Sequence, residues 1–189
     1  MSFVHLHVHS QYSILDGAAS ISGLVSKAVE FNMPALALTD HGYMYGIKTF
    51  HDVCTKQNIK PLLGVEAYVA KSGIEQKRGK EDYGGYHLVM IAKNMNGYKS
   101  LLKLNTIAAT DGFYQRPRID RKLLEQYGED LIISSACLGG EIPQKILAND
   151  FEAAEEAILW HKNLFGDDFY LEMMKHFSKK PELNNKTYN

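Results

Sequence analysis

Ala35-Leu36-Ala37-Leu38-Thr39 is a short run with almost nothing polar in it, preceded by Pro34 and followed by Asp40-His41-Gly42. Successive side chains of a strand point to opposite faces, so a strand without a polar face must be covered on both sides. Strands of that kind belong to sheets whose parallel neighbours are joined through helices. The flanking sequence supplies those helices. Ser20 is a helix N-cap ahead of Ile21, Leu24, Val25 and Ala28 at three-to-four spacing, and this helix should stop near Asn32. A second helix carries Ile47, Phe50 and Val53, closes at Asn58, and leads into a strand over Pro61-Leu62-Leu63-Gly64-Val65-Glu66, which Tyr68 and Val69 extend.

The same alternation continues along the chain. Residues 71–85 are basic and glycine-rich with little apolar material, and read as a mobile surface loop. Tyr86 to Ala92 is a strand, Gly97 to Thr110 a helix, and Asp120 caps a short helix with Leu123 and Leu124 turned inward. Leu131-Ile132-Ile133 is a further buried strand, Asp150 caps a helix from Phe151 to Phe165, and Phe169 to Met173 forms a last strand. Beyond Lys175 the chain is polar and offers no further apolar element. The expected class is α/β with a parallel sheet, and short strands ending in chemically active residues favour a barrel over an open sheet.

Composition excludes several classes. The 189 residues suit one domain with a real core, and a formal net charge of -1 argues against a module that holds nucleic acid chiefly by neutralising phosphates. No segment approaches a membrane span and no basic-then-apolar leader opens the chain, so a cytoplasmic protein that meets no membrane is expected. Two cysteines, Cys54 and Cys137, are too few for a disulfide framework.

Chemistry concentrates at strand ends, which share one face in parallel βα folds. The alternation His5-Leu6-His7-Val8-His9 would place three imidazoles on one face of a first strand, an arrangement that suits metal chelation better than burial. Asp16 lies just beyond, His41 follows the second strand, Glu66 ends the third and Cys137 follows the Leu131 strand. His87 sits at the start of its strand, and joins the others only if that strand runs back as a hairpin against the extension of the third. Each residue alone has a plain structural reading. Together they form a mixed imidazole, carboxylate and thiolate set suited to zinc, manganese or iron. More than four ligands implies more than one ion, and ions roughly 3.5–4 Å apart can clamp both the attacking and the leaving oxygen of a phosphoester.

Six blocks, FVHLHVHSQYSILDG, MPALALTDHG, KPLLGVEAYV, YHLVMIAKN, GFYQRPRID and SACLGGEIPQ, carry a resemblance that spans essentially the whole chain. The sequence resembles the PHP (polymerase and histidinol phosphatase) domain found at the N-terminus of bacterial DNA polymerase III α subunits. The resemblance implies a distorted seven-stranded, TIM-like (β/α)7 barrel, up to three divalent metal ions, and a metal-dependent 3′–5′ exonuclease or related phosphoesterase activity on DNA. It implies metal ligands at His7, His9, Asp16, His41, Glu66, His87 and Cys137. The catalytic members are His7, His9, Asp16, His41 and Glu66, and Asp40 is an orienting partner in the shell behind them. His5 matches no family ligand. The family's last motif, an Asp-x-His after a seventh strand, is absent, so the barrel is expected to be incomplete at its C-terminal end. The 189 residues would then be an N-terminal fragment of a longer polymerase subunit. Implied partners are DNA, the remainder of that subunit and a proofreading exonuclease subunit. Two other readings stand beside this one: a non-catalytic scaffold that stabilises the polymerase and docks the proofreading subunit, and a free-standing phosphatase of the histidinol phosphatase type.

Overall fold

The structure, a computed structural model, describes residues 3–174. Helix α1 (Ile21–Glu30) starts where Ser20 accepts a hydrogen bond from the Gly23 amide, and it buries Ile21, Val25 and Ala28. Strand β1 (Ala35–Leu38) is buried along its whole length, as its lack of a polar face requires. Helix α2 (Ile47–Lys56) leads into β2 (Lys60–Val69), which pairs parallel with β1. Strand β3 (Tyr86–Ala92) precedes α3 (Met95–Thr110), which Asn94 caps and which starts two residues earlier than expected. The two-residue β4 (Arg118–Ile119), α4 (Arg121–Tyr127), β5 (Leu131–Ser134), α5 (Glu141–Leu147), α6 (Phe151–Phe165) and β6 (Phe169–Tyr170) follow. Helix α5 was not expected from the sequence, and β6 is shorter than expected; the polar run past Lys175 lies outside the described residues.

The sheet runs β1-β2-β3-β5-β6, with β4 attached beside β2. It is mixed rather than parallel: β3 is antiparallel to both β2 and β5, while β1 with β2, β4 with β2, and β5 with β6 are parallel. The reason for the first reversal lies between β2 and β3. A parallel return needs a crossover element, usually a helix, and residues 70–85 contain only the short turn Lys80–Asp82. Strand β3 therefore comes straight back, with His87 opposite Tyr68.

One face of the curved sheet is covered by helices. Val65, Ala67, Leu88, Met90, Leu131 and Ile133 pack there with Leu101, Leu104 and Leu124, and α1 and α2 form a second cluster with Leu36 and Leu38. The other face holds a smaller cluster of Ala37, Val89, Ile91 and Ala136. Residues 3–9 lie along β1 without forming a regular strand. Ala37 and Thr39 donate to the carbonyls of His5 and Val8, so three steps on one segment match two on the other. The extra residue acts as a bulge and breaks the alternation. His5 accordingly is exposed and separated from His7 and His9, which are half-buried.

The loop over residues 71–85 is held rather than loose. Arg118 is buried and donates to the carbonyls of Ile74, Gln76, Asp82 and Gly112. A guanidinium has five donors in a fixed fork, which lets one side chain fasten several turns.

Candidate metal centre

Glu66 is the hub of the site. It lies on β2, on the same face as Tyr68, and His41 bridges it from just beyond β1. Its carboxylate is wholly buried, and Oε2 lies 2.9 Å from His7 Nε2, 3.0 Å from His9 Nε2 and 3.1 Å from His41 Nδ1. Its other oxygen, Oε1, lies 2.9 Å from His87 Nδ1 and 3.5 Å from Cys137 Sγ. The β2–β3 hairpin brings His87 in, and the turn after β5 brings Cys137, whose Sγ is 3.4 Å from His87 Nδ1. Gly139 makes room for that ring: a Cβ there would stand 2.9 Å from the His87 imidazole. The rings of His9 and His41 stack with centroids 4.3 Å apart. Asp16 closes the solvent side, its Oδ2 2.8 Å from His41 Nε2.

Burial alone would pull the His7 pKa down, but hydrogen bonds to Glu172 and Glu66 outweigh it and raise the value to about 10. His87 behaves alike: burial lowers it, Cys137 and Glu66 more than compensate, and it rises to about 9. Burial likewise pushes Glu66 upward, yet the imidazoles of His7, His87 and His9 hold it far below the ordinary carboxylate range. In His41 burial prevails and the pKa falls, despite Glu66 and Asp16.

The arrangement fits divalent cations. His41 Nδ1 is buried and has no hydrogen-bond partner, since Glu66 approaches it at bonding distance but out of bonding geometry. Three groups of possible ligands lie together: His7 with His9 and Glu66, His9 with Asp16 and His41, and His41 with Glu66 and His87. Within each group the donor atoms lie within 4.8 Å of one another, and His9, His41 and Glu66 each serve two groups. Mixed imidazole and carboxylate donors favour zinc, manganese or iron over calcium.

All seven residues expected as ligands converge on this cleft, and Asp40 lies behind them, reaching the imidazoles indirectly. Its buried carboxylate accepts from the Ser10 amide and hydroxyl and from Ser13 Oγ, and touches no imidazole. Ser13 is the intermediary, 3.3 Å from His9 Nδ1 and accepting from the His41 amide. The turn that presents Ser13 requires Gly17, where a Cβ would collide with the Ser10 carbonyl at 1.8 Å. Sequence reasoning missed Ser13 and Glu172. Ser13 stood in the Ser-x-Tyr-Ser stretch beside the histidines and could have been weighed, whereas Glu172 had no local signal.

A cleft of about 700 Å³ opens beside the cluster. Tyr12, Tyr43, Tyr45, Tyr68 and Tyr83 line it, and Arg116 is the one arginine or lysine among the described residues that line it. Tyr43 and Tyr45 stack at 4.8 Å, and the Arg116 guanidinium lies 5.6 Å over the Tyr68 ring, which in turn stacks on His41.

The PHP domain family profile matches residues 5–176. The chain is 53% identical over 185 residues to DNA polymerase III subunit alpha of Borreliella burgdorferi, covering 97% of this chain and 16% of that protein. It is 45% identical over 184 residues to the same subunit of Chlamydia muridarum, covering 97% of this chain and 15% of that one. The chain thus spans about a sixth of the length of these relatives. Among solved structures, an amidohydrolase from Chromobacterium violaceum aligns with 56% of this chain and 32% of its own at 24% identity and a TM-score of 0.40, too slight a likeness to bear on the argument.

Proposed function

The chain belongs to the PHP domain family, and from that premise we propose that it is a metal-dependent phosphoesterase module of a replicative DNA polymerase subunit, hydrolysing phosphodiester bonds at the 3′ end of DNA. The observation that carries the reading is the buried Glu66 carboxylate ringed by four imidazoles and a thiol, with His41 Nδ1 left without a partner. The seven proposed metal ligands are His7, His9, Asp16, His41, Glu66, His87 and Cys137. Divalent ions held there would supply Lewis acidity, polarising a phosphoryl oxygen and lowering the pKa of a water.

The chain's own groups do the rest. Glu66, ionised despite its burial, anchors the cluster from beneath, and Asp16 is the carboxylate nearest solvent. The Ser10–Ser13 turn, organised by Asp40, fixes the approach of His9 and His41. In the adjoining cleft the tyrosines offer faces on which unpaired bases stack, a contact worth roughly 1–3 kcal/mol per base. Arg116 can pair with a phosphate. A near-neutral chain with one arginine and no lysine among the described residues of the cleft suits the frayed end of a strand better than a long duplex. Among the described residues no helix is long and apolar enough to cross a membrane, and the proposed setting is the cytoplasm, with the remainder of the polymerase subunit and a proofreading exonuclease subunit as partners.

That all seven of the matched ligand positions keep metal-binding side chains weighs against the purely structural scaffold. In the complete subunit, His9→Ala is expected to abolish release of nucleotides from a single-stranded oligonucleotide while nucleotide incorporation continues. Unimpaired hydrolysis in that variant would remove the catalytic reading, and equal loss of both activities would make the domain a scaffold.

A further inference from the structure

Glu172 lies two residues beyond β6 and 165 residues from His7, yet its Oε1 is 2.8 Å from His7 Nδ1. The carboxylate is fixed from two sides. Ser134 Oγ on β5 donates to Oε2 at 2.6 Å, and the Glu172 amide donates to Ser135 Oγ at 2.9 Å. The second ring nitrogen of His7, Nε2, faces Glu66 at 2.9 Å. An imidazole ring has one rotational setting in which both contacts are made, and in it Nδ1–H points to Glu172 and Nε2 into the cleft. The bulge beside β1 leaves residues 3–9 without a regular ladder, so the backbone alone does not fix this ring.

We infer that Glu172 is the positioning residue of the metal centre: by accepting the Nδ1–H of His7 it presents the Nε2 lone pair to the ion. This rests on the metal-centre reading above. It also gives β6 a part in the site, because the His7–Glu172 bond crosses the gap between the two borders of the sheet, the N-terminal segment beside β1 and the chain leaving β6. Carboxylate partners of ligating histidines fix the tautomer, and their removal typically costs about 10–100-fold in metal affinity.

The test measures zinc affinity of the protein by chelator competition for the wild type, Glu172→Ala, Glu172→Gln and His7→Ala, with nitrogen NMR of the His7 ring in the zinc-loaded state. Glu172→Ala is expected to weaken binding about 10–100-fold. Glu172→Gln, whose amide oxygen still accepts from Nδ1–H, should restore most of that loss and keep the wild-type ring signature, a rescue that a purely structural role would not produce. Wild-type affinity in Glu172→Ala, with His7→Ala impaired, overturns the role of Glu172 alone. Wild-type affinity in His7→Ala overturns the metal-centre reading and this inference with it. A Glu172→Gln protein as weak as Glu172→Ala overturns positioning through an accepted hydrogen bond. Should Glu172→Ala not fold, Ser134→Ala removes one anchor of the carboxylate, and a smaller loss of affinity is expected there; no loss overturns the inference.

Discussion

Glu66 stays ionised in a buried position because four imidazoles surround it, and in the metal-free protein protons do the work that cations would do. With His7 raised from 6.5 to about 10, the native state binds more protons than the unfolded chain between those values. The stabilisation is complete below the unfolded pKa and is lost as pH rises through about 10. We predict that, in the presence of a chelator, the thermal midpoint falls between pH 7 and 10, and that bound zinc or manganese flattens the fall, since the ion takes over from the protons. A midpoint that rises with pH in chelator would contradict this. Gly139→Ala should push the His87 ring aside and weaken metal binding, checked by the same chelator competition; unchanged affinity would show that the ring has room to move. Of the proposed ligands, His41, His87 and Cys137 were legible because each stands near a strand end, whereas Glu66 lies inside β2 rather than at its end and His7 and His9 belong to no regular strand, so their histidine pattern alone marked them. Glu172 was not, since its only tie to the site is a contact across 165 residues of sequence. Asp40 was legible as a supporting residue, but its indirect contact through Ser10 and Ser13 was not.

Among the elements, the capped helices were the most legible. Ser20, Asp120 and Asp150 each accept from the amide three residues on, as their side-chain chemistry prescribes. The antiparallel return of β3 followed from the placement of His87 and from the lack of a crossover helix. The basic, glycine-rich loop was misread because its anchor lies outside it. Arg118, 1% exposed, satisfies four carbonyls, three of them in that loop. Arg118→Met would leave those acceptors without a partner, each at a cost of about 1–3 kcal/mol where water cannot replace it. We predict a loss of stability of about 3 kcal/mol or more in urea, with faster proteolysis between residues 74 and 82. A change below about 1 kcal/mol would mean that water replaces the guanidinium.

Over the whole molecule, the sheet curves so that its helix-free face gathers the ligands at one end. It leaves a groove of about 760 Å³ between the N-terminal segment and the chain after β6. Phe3, Leu6, Leu171 and Met173 are exposed along it, and apolar surface beside a sheet edge that pairs with no further strand among the described residues favours association. We predict concentration-dependent self-association in sedimentation experiments, reduced by Leu6→Lys; a monodisperse monomer at high concentration would count against it. A curved, incomplete sheet was expected from the sequence, whereas its mixed pairing beyond the β2–β3 hairpin was not, because that depends on how the strands meet. A carboxylate such as Glu66 can bridge two ions, but each neutral imidazole nitrogen binds one, so the groups that share His9 and His41 compete for those rings. The most direct measurement is the metal content of wild type and Glu66→Gln after equilibrium dialysis against zinc or manganese, with circular dichroism to confirm that both are folded. At least one ion should be retained per wild-type chain and none in the variant. Equal metal content in two folded proteins would contradict a centre built on Glu66.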